Sequence, residues 1–475
     1  MSAEYENPLC KRYASKEMRF IFSDNNKFTT WRKLWIALAE SQQELGLDIT
    51  IAQINEMKAN VDNINYETAE AFEREIRHDV MAHIKAFAAQ CPQAAPIIHL
   101  GATSCYVGDN TDIILQRDAL QLVKKLLINT IAALSAFAEE HKNLPCLAYT
   151  HFQAAQPTTL GKRATLWLQD LLFDLDYVDF ALSKLKFLGC KGTTGTGASF
   201  LALFDGNHDK VKQLEANIAN KMGFNEVFPI SGQTYSRKID YFTLSALSGV
   251  EQSAHKFSND MRLLAHLKEI DEPFEAKQVG SSAMAYKRNP MRSERIASLA
   301  RYIMVDTLNP ALTASSQWLE RTLDDSANRR ISIPQAFLAT DSILSLMLNI
   351  ISGAVVYPKI IEKHLAEELP FMATENIIMH CVKKGRDRQK IHERIRIHSV
   401  ETATQIKMHG GENDLLTRIV GDKFINITTE ELAQIMHVSH FIGRAPQQTE
   451  EFLAEVRTLL NDNQELLGME ANILC

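Results

Sequence analysis

Asp240–Ile270 reads DYFTLSALSGVEQSAHKFSNDMRLLAHLKEI. Its apolar residues Phe242, Leu244, Leu247, Val250, Ala254, Phe257, Met261, Leu264 and Leu267 recur mostly at steps of three and four, with no proline between them. That spacing lines up side chains on a 3.6-residue helix and predicts one rod of about 30 residues, where ~11 is usual. Apolar or small residues occupy much of its circumference. One subunit's core does not require that, so the pattern also predicts a surface buried between subunits.

Four similar patterns flank this one. They run over Thr111–His141, over Gly161–Leu188, from Pro290 onward, and over Ile333–Val356. Glycine and proline are sparse, 20 and 13 in 475 residues, so little interrupts these helices. The expected fold is mainly α: three helical domains with a central long-helix bundle, at residues 1–110, 111–357 and 358–475. Gly101, Gly108 and Tyr357-Pro358 mark the boundaries. The glycine-rich Gly189–Gly197 lacks the Lys-Ser/Thr ending of a nucleotide loop and is expected to be a connection.

Composition excludes several classes of function. The chain is 45% hydrophobic and 23% charged with net charge −7, so nothing attracts a polyanion globally and no nucleic-acid partner is expected. An anionic substrate has to be caught by local arginines. Seven scattered cysteines without a Cys-x-x-Cys pair predict reduced thiols, a cytoplasmic setting and no zinc site. The polar, acidic start Met1–Pro8 is unlike a targeting segment. No apolar run approaches the ~18 residues of a membrane span, so no membrane partner is expected. Cys475 is the last residue rather than fourth from the end, so it does not fit prenylation. The basic run Lys383–Lys390 reads as a solvated helix face with Asp387 and Glu393 as local partners. With no metal-ligand cluster, dinucleotide fingerprint or cofactor-lysine motif, neither cofactor nor metal is expected.

Four segments carry chemistry. Gly280-Ser281-Ser282-Ala283-Met284-Ala285-Tyr286-Lys287-Arg288-Asn289-Pro290 offers hydroxyls, free N–H groups and an ammonium. Asn289-Pro290 reads as an N-cap followed by proline at the first helical position, so the positive end of a helix would also face this loop. The others are Glu75–His83 with Arg77, His78 and Asp79; Tyr149–Gln156 with His151; and Trp318–Arg330 with Arg321, Ser326 and Arg330. Taken singly, each has a plain structural explanation, such as a surface salt-bridge patch at Arg77-His78-Asp79.

Taken in order, they resemble the fumarase/aspartase superfamily, whose members eliminate fumarate from succinyl compounds, and within it the adenylosuccinate lyase branch. Arg12-Tyr13-Ala14-Ser15, Gly101-Ala102-Thr103-Ser104, Ser231–Lys238 with Gln233, and Gly443–Gln448 extend the resemblance from residue 12 to about 448. It implies a succinylated purine nucleotide or its ribotide precursor as substrate. It also implies a homotetramer with a shared helical core, whose sites each draw on three subunits. Ser281 is then the general base and His151 the general acid; Lys287, Asn289, Thr103 and Ser104 stabilise the carbanion; and Gln233 fixes the succinyl carboxylate. Arg12, Tyr13, Arg321, Ser326 and Arg330 form a phosphate clamp, Arg295 meets a carboxylate or the nucleotide, and His78 orients substrate. A second assignment, with His151 as base or His78 as acid, stands beside the first. Ala154 and Ala285 replace prolines usual in the family, which concerns loop stiffness. The rivals are another lyase of the superfamily, such as argininosuccinate lyase or fumarase, and a scaffold that has lost catalysis.

Overall fold

A computed structural model describes residues 4–275, 277–471 and 473. Met1–Ala3 and Cys475, considered above for targeting and lipidation, lie outside them. The bundle is formed by the helices Ser104–Glu140, Leu160–Lys184, Lys238–His266, Met291–Asp306 and Asp325–Gly353. Shorter helices precede it, and another set follows from Pro358. Two small antiparallel sheets complete the fold. Pro145–Thr150 pairs with Gln153–Thr159, and Ile270–Asp271 pairs with Val355–Val356.

The rods pack along their lengths around fully buried Leu120, Leu127, Phe257, Phe337 and Met347. Burying each such side chain contributes about 1.5–3 kcal/mol. Where the Leu160–Lys184 helix crosses the end of Ser104–Glu140, a Cβ on Gly161 would lie 2.4 Å from the Ala138 carbonyl oxygen. Only glycine permits that approach. The core reaches from Leu9 to Val456, and a second, smaller one joins residues between Ala373 and Leu432.

Three expectations shift. The first long helix starts at Ser104, with Gly108 inside it rather than at a boundary. The last starts at Asp325, eight positions before the apolar pattern begins. Its first turns are polar because Arg329 is buried by ion-pairing, to Asp240 at 2.6 Å and Asp112 at 2.9 Å, and such a turn carries no apolar period. The rod Lys238–His266 is apolar on several sides because Leu160–Lys184, Met291–Asp306 and Asp325–Gly353 of the same chain surround it. On this rod Leu263 stays exposed, and more exposed apolar residues sit on its neighbours: Leu166, Phe173 and Phe180 at seven-residue spacing, and Val305, Leu308 and Leu312.

Two helices, Ser104–Glu140 and Asp325–Gly353, are long and apolar enough to cross a membrane by length and composition, which the search for apolar runs missed. The most apolar windows are 56% and 83% buried inside the bundle, where core helices meet neighbours all round.

Candidate active site

The N-terminal end of the Ser104–Glu140 helix gathers more than half of the site residues singled out from sequence. Arg77 ends the helix Tyr66–Ile76 in the left-handed region (φ 56°), which turns the chain sharply into His78. His78 caps the helix Asp79–Gln90: its Nδ1 accepts the Met81 N–H at 3.3 Å. An accepting Nδ1 leaves the proton on Nε2, which faces the Ser104 hydroxyl at 3.3 Å. Asp79 accepts from its own neighbour's N–H, Val80, and from Arg330 Nη2 at 3.0 Å. Thr103 occupies the N-cap position without spending its hydroxyl on the cap, so this helix end keeps donors for an anion.

Gln233 is held from three sides. Its backbone N–H donates to the Glu320 carbonyl at 3.0 Å, its Nε2 donates to the Thr193 carbonyl at 3.0 Å, and its Oε1 accepts from the Cys105 thiol at 3.3 Å. Burial pushes the Cys105 thiol up to about 12, so it remains a donor. Thr193 belongs to the Gly189–Gly197 connection. That connection presses so closely on Ser231 that a Cβ at Gly195 (φ 84°) would lie 2.0 Å from the Ser231 carbonyl oxygen.

Arg321 donates to Asp325 Oδ1 at 2.9 Å; Asp325 Oδ2 accepts from Arg237 Nε at 2.7 Å; Arg237 also donates to Asp109 at 2.8 Å. Burial acts to raise the Asp325 carboxyl, but Arg237 and Arg321 outweigh it and hold the group below its ordinary value. This relay sets Arg321 in place and half-buries Ser326 on the next turn.

The remaining predicted residues lie elsewhere. Arg12 and Tyr13 sit on a π-helical turn, Leu9–Tyr13, fixed by Ser15, whose N–H and hydroxyl both donate to Asp341. Arg295 stacks over the Tyr13 ring at 5.4 Å, and the three border a crevice too tight for a water molecule, with Ser342, Ser345, Leu346 and Ile473. Twelve residues of one helix separate Arg330 from Ser342, about 18 Å at 1.5 Å per residue.

The Ser281 loop lies farther still. Its root, Pro273, packs on Gly353, the last residue of the Asp325–Gly353 helix, and Ser326 is near that helix's start. The interval of 27 residues corresponds to roughly 40 Å. Within the loop, Ser281 Oγ accepts from the Met284 N–H at 3.1 Å and the Ala283 N–H at 3.4 Å. Lys287 is exposed, and its carbonyl approaches Gly280 so closely that a Cβ there would lie 2.1 Å away.

Asn289 is not the N-cap expected of it. Its Nδ2 donates to the Gly280 carbonyl at 2.8 Å and closes the loop, while Pro290 takes the cap position of Met291–Asp306. The free N–H groups of that helix go to Glu272, from Arg292 at 3.0 Å and Ser293 at 2.6 Å. A carboxylate therefore already occupies the helix end that was expected to support an alkoxide.

His151 stands on the two-residue tip of the hairpin, His151-Phe152, both with positive φ (53° and 56°). That turn favours Asn-Gly, so two bulky residues there store strain, as functional positions often do. Its side chain is exposed and makes no hydrogen bond among the described residues.

One chain thus brings His78, Asp79, Ser104, Gln233, Arg321 and Arg330 together, with Arg77, Thr103 and Ser326 adjoining. It sets the Arg12–Tyr13–Arg295 crevice, the Ser281–Lys287–Asn289 loop and His151 apart from them. Among the described residues no group of His, Cys, Asp and Glu is arranged to hold a metal. Sequence reasoning missed Cys105, Thr193, Glu272 and the Asp109–Arg237–Asp325 relay. No periodicity marks these residues, because they act through pairings between distant segments.

A bundle of long rods with polar loops at its ends is the architecture of the fumarase/aspartase-type lyases, and residues 12–305 match the lyase family. The fold agrees with 3-carboxy-cis,cis-muconate lactonizing enzyme from Pseudomonas putida (TM-score 0.81, 19% identity, 95% of this chain and 99% of that one). It also agrees with a fumarate lyase from Mesorhizobium (TM-score 0.79, 19% identity, 95% and 99%). The chain belongs to the adenylosuccinate lyase family. Residues 370–452 match the adenylosuccinate lyase C-terminus. The chain is 54% identical to adenylosuccinate lyase of Saccharomyces cerevisiae over 98% of both chains. It is 52% identical to that of Schizosaccharomyces pombe over 94% of both, and 48% identical to that of Schistosoma mansoni over 99% and 98%.

Proposed function

We propose that the protein releases fumarate by β-elimination, from adenylosuccinate to give AMP and from succinylaminoimidazole carboxamide ribotide to give aminoimidazole carboxamide ribotide, within purine nucleotide biosynthesis. The observation that carries this reading is the 54% identity over 98% of both chains. The C-terminal match favours this branch over argininosuccinate lyase or fumarase. The Ser281 alkoxide takes the proton from the carbon beside a carboxylate, and the electrons of that C–H bond enter the carboxylate as a dianion. They return to form the double bond as the C–N bond breaks, its pair passing to nitrogen, and the His151 imidazolium gives that nitrogen a proton. Lys287, Asn289, Thr103 and Ser104 face the developing charge. The Ala283 and Met284 N–H groups, together with the Lys287 cation, stabilise the alkoxide. His78, with Nδ1 tied to the backbone, presents an Nε2–H and suits an orienting donor. Arg12, Arg321 and Arg330 bind phosphate.

The working form is a homotetramer with sites shared between subunits. What supports this is the interval of roughly 40 Å along one rod between the Ser281 loop and Ser326, which a nucleotide cannot span. The exposed Leu166–Phe173–Phe180 stripe supplies a surface for a second copy. A cytoplasmic location suits the six described cysteines, all free. The test is fumarate release by the purified protein with each purine substrate, beside argininosuccinate and malate. Turnover of either of the latter in preference would overturn the assignment.

A further inference from the structure

The second core carries a wide, shallow groove of about 810 Å³, open to solvent, apart from every residue assigned above. Its size lies within the range of small-molecule sites. It is formed between the start of the helix Arg388–His409 and the segment Gly421–Phe424. Phe424 is 41% exposed, yet its backbone is pinned: its N–H donates to Asp422 at 2.8 Å and its carbonyl accepts from Arg386 at 3.3 Å. The residue thus offers an exposed ring on a held backbone.

The acidic groups of this groove are already engaged. Asp422 accepts from Arg394 Nε and lies 2.8 Å from His398 Nε2, and Glu393 grips Arg396 through both oxygens at 2.8 and 2.7 Å. Asp387, expected to offset the basic run, instead caps the Gln389 and Lys390 N–H groups. Lys390 and Lys423 remain on the groove without an ion pair among the described residues. Gly421 forms part of the lining. A Cβ there would meet nothing within 4 Å and its φ is ordinary, so no backbone constraint calls for glycine. Its absent side chain leaves the groove open.

We propose that this groove is a second ligand site for a mononucleotide, its planar base stacked on Phe424 and its phosphate held by Lys390 and Lys423. An aromatic face holds a base by stacking, and the two ammonium groups select an anion. The site is independent of the lyase reaction and of how that reaction is assigned.

The test uses the whole protein and a photoreactive mononucleotide, 8-azido-ATP, with the labelled peptides mapped. Expected is saturable labelling of the peptide containing Phe424, distinct from any labelling at the lyase site. It weakens in Gly421→Leu, which places a side chain on the wall of the groove and narrows it. Its half-saturation rises about tenfold in Lys390→Ala/Lys423→Ala. Unlabelled AMP competes, whereas adenosine alone and inorganic phosphate alone compete more weakly. Thermal melting and fumarate release of the variants match the parent protein. The proposal is overturned if that peptide is not labelled saturably, or if Gly421→Leu labels as before. It is equally overturned if adenosine or phosphate alone equals AMP, or if a single-stranded RNA competes better than AMP. Should Gly421→Leu fail to fold, the lysine variant and the competition series on the parent protein decide alone.

Discussion

The Glu272 carboxylate accepts the Ser293 N–H at 2.6 Å, and with it the Arg292 N–H, at the start of the helix that follows the Ser281 loop. This ties the loop's root to its far end and consumes the helix terminus. Glu272→Ala leaves those N–H groups without their acceptor, at a cost of about 0.5–2 kcal/mol for a lost cap. The expected result is a lower melting temperature together with reduced kcat, because the loop loses its anchor. Glu272→Gln, which keeps one acceptor oxygen, should recover part of both. Melting curves and steady-state kinetics on the two variants check this. Unchanged kcat in Glu272→Ala would show that the anchor does not matter to the chemistry.

With the helix end occupied, the alkoxide of the proposed mechanism would depend on the Ala283 and Met284 N–H groups and on Lys287. Ser281→Ala should therefore lower kcat by orders of magnitude with little change in KM, and Lys287→Met should do likewise. A Lys287→Met enzyme that keeps most of its turnover would mean that the ammonium does not face the reacting oxygen. Single-turnover fumarate release separates this from slow product departure.

The bundle was legible from sequence because its apolar steps of three and four persist over rods of 29 and 37 residues. The candidate site residues were named one by one from short polar motifs, and the structure brings nine of them together. What could not be read was where those motifs stand. Ser281 and Ser326 are 45 positions apart in sequence, yet one follows a turn at one end of the bundle and the other opens a helix at the opposite end. Only tracing the rods reveals that interval. Arg237, Arg329, Asp109 and Asp240 escaped for another reason: they are buried charges paired across segments, and a pattern search treats charges as surface.

The separation of Ser281 from the His78–Gln233 cluster leads to a mixing experiment. Ser281→Ala and His151→Ala proteins are each expected to be inactive. If the two residues of one site come from different chains, equal mixing after reversible dissociation restores about a quarter of the sites, since each intact residue is present with a chance of one half. Fumarate release from the mixture measures this directly. Mixed tetramers that form, as shown by differently tagged subunits copurifying, and yet remain inactive would mean that Ser281 and His151 of one site come from the same chain.

Glu251 gives the protein a stability that depends on pH. It is fully buried on the Lys238–His266 helix, and the neighbouring Thr340 hydroxyl, which favours the charged form, only partly offsets that burial. Burial, aided by Asp174, pushes its pKa up to about 8, and burial pushes Asp174 to about 7. In the unfolded chain these groups ionise near their ordinary values of 4.5 and 3.8. Between those values and about 7 to 8 the folded protein holds protons that the unfolded chain has released. Fewer protons on the unfolded side means that stability falls as pH rises through that window, and levels off above it. Glu251→Gln keeps a neutral group of the same shape and removes the Glu251 share of the fall. The variant's advantage over the parent should widen by roughly 1 kcal/mol per pH unit across the window. Denaturant unfolding at several pH values between about 5 and 9 reads this directly. An advantage that does not change with pH would mean that Glu251 is ionised in the folded protein.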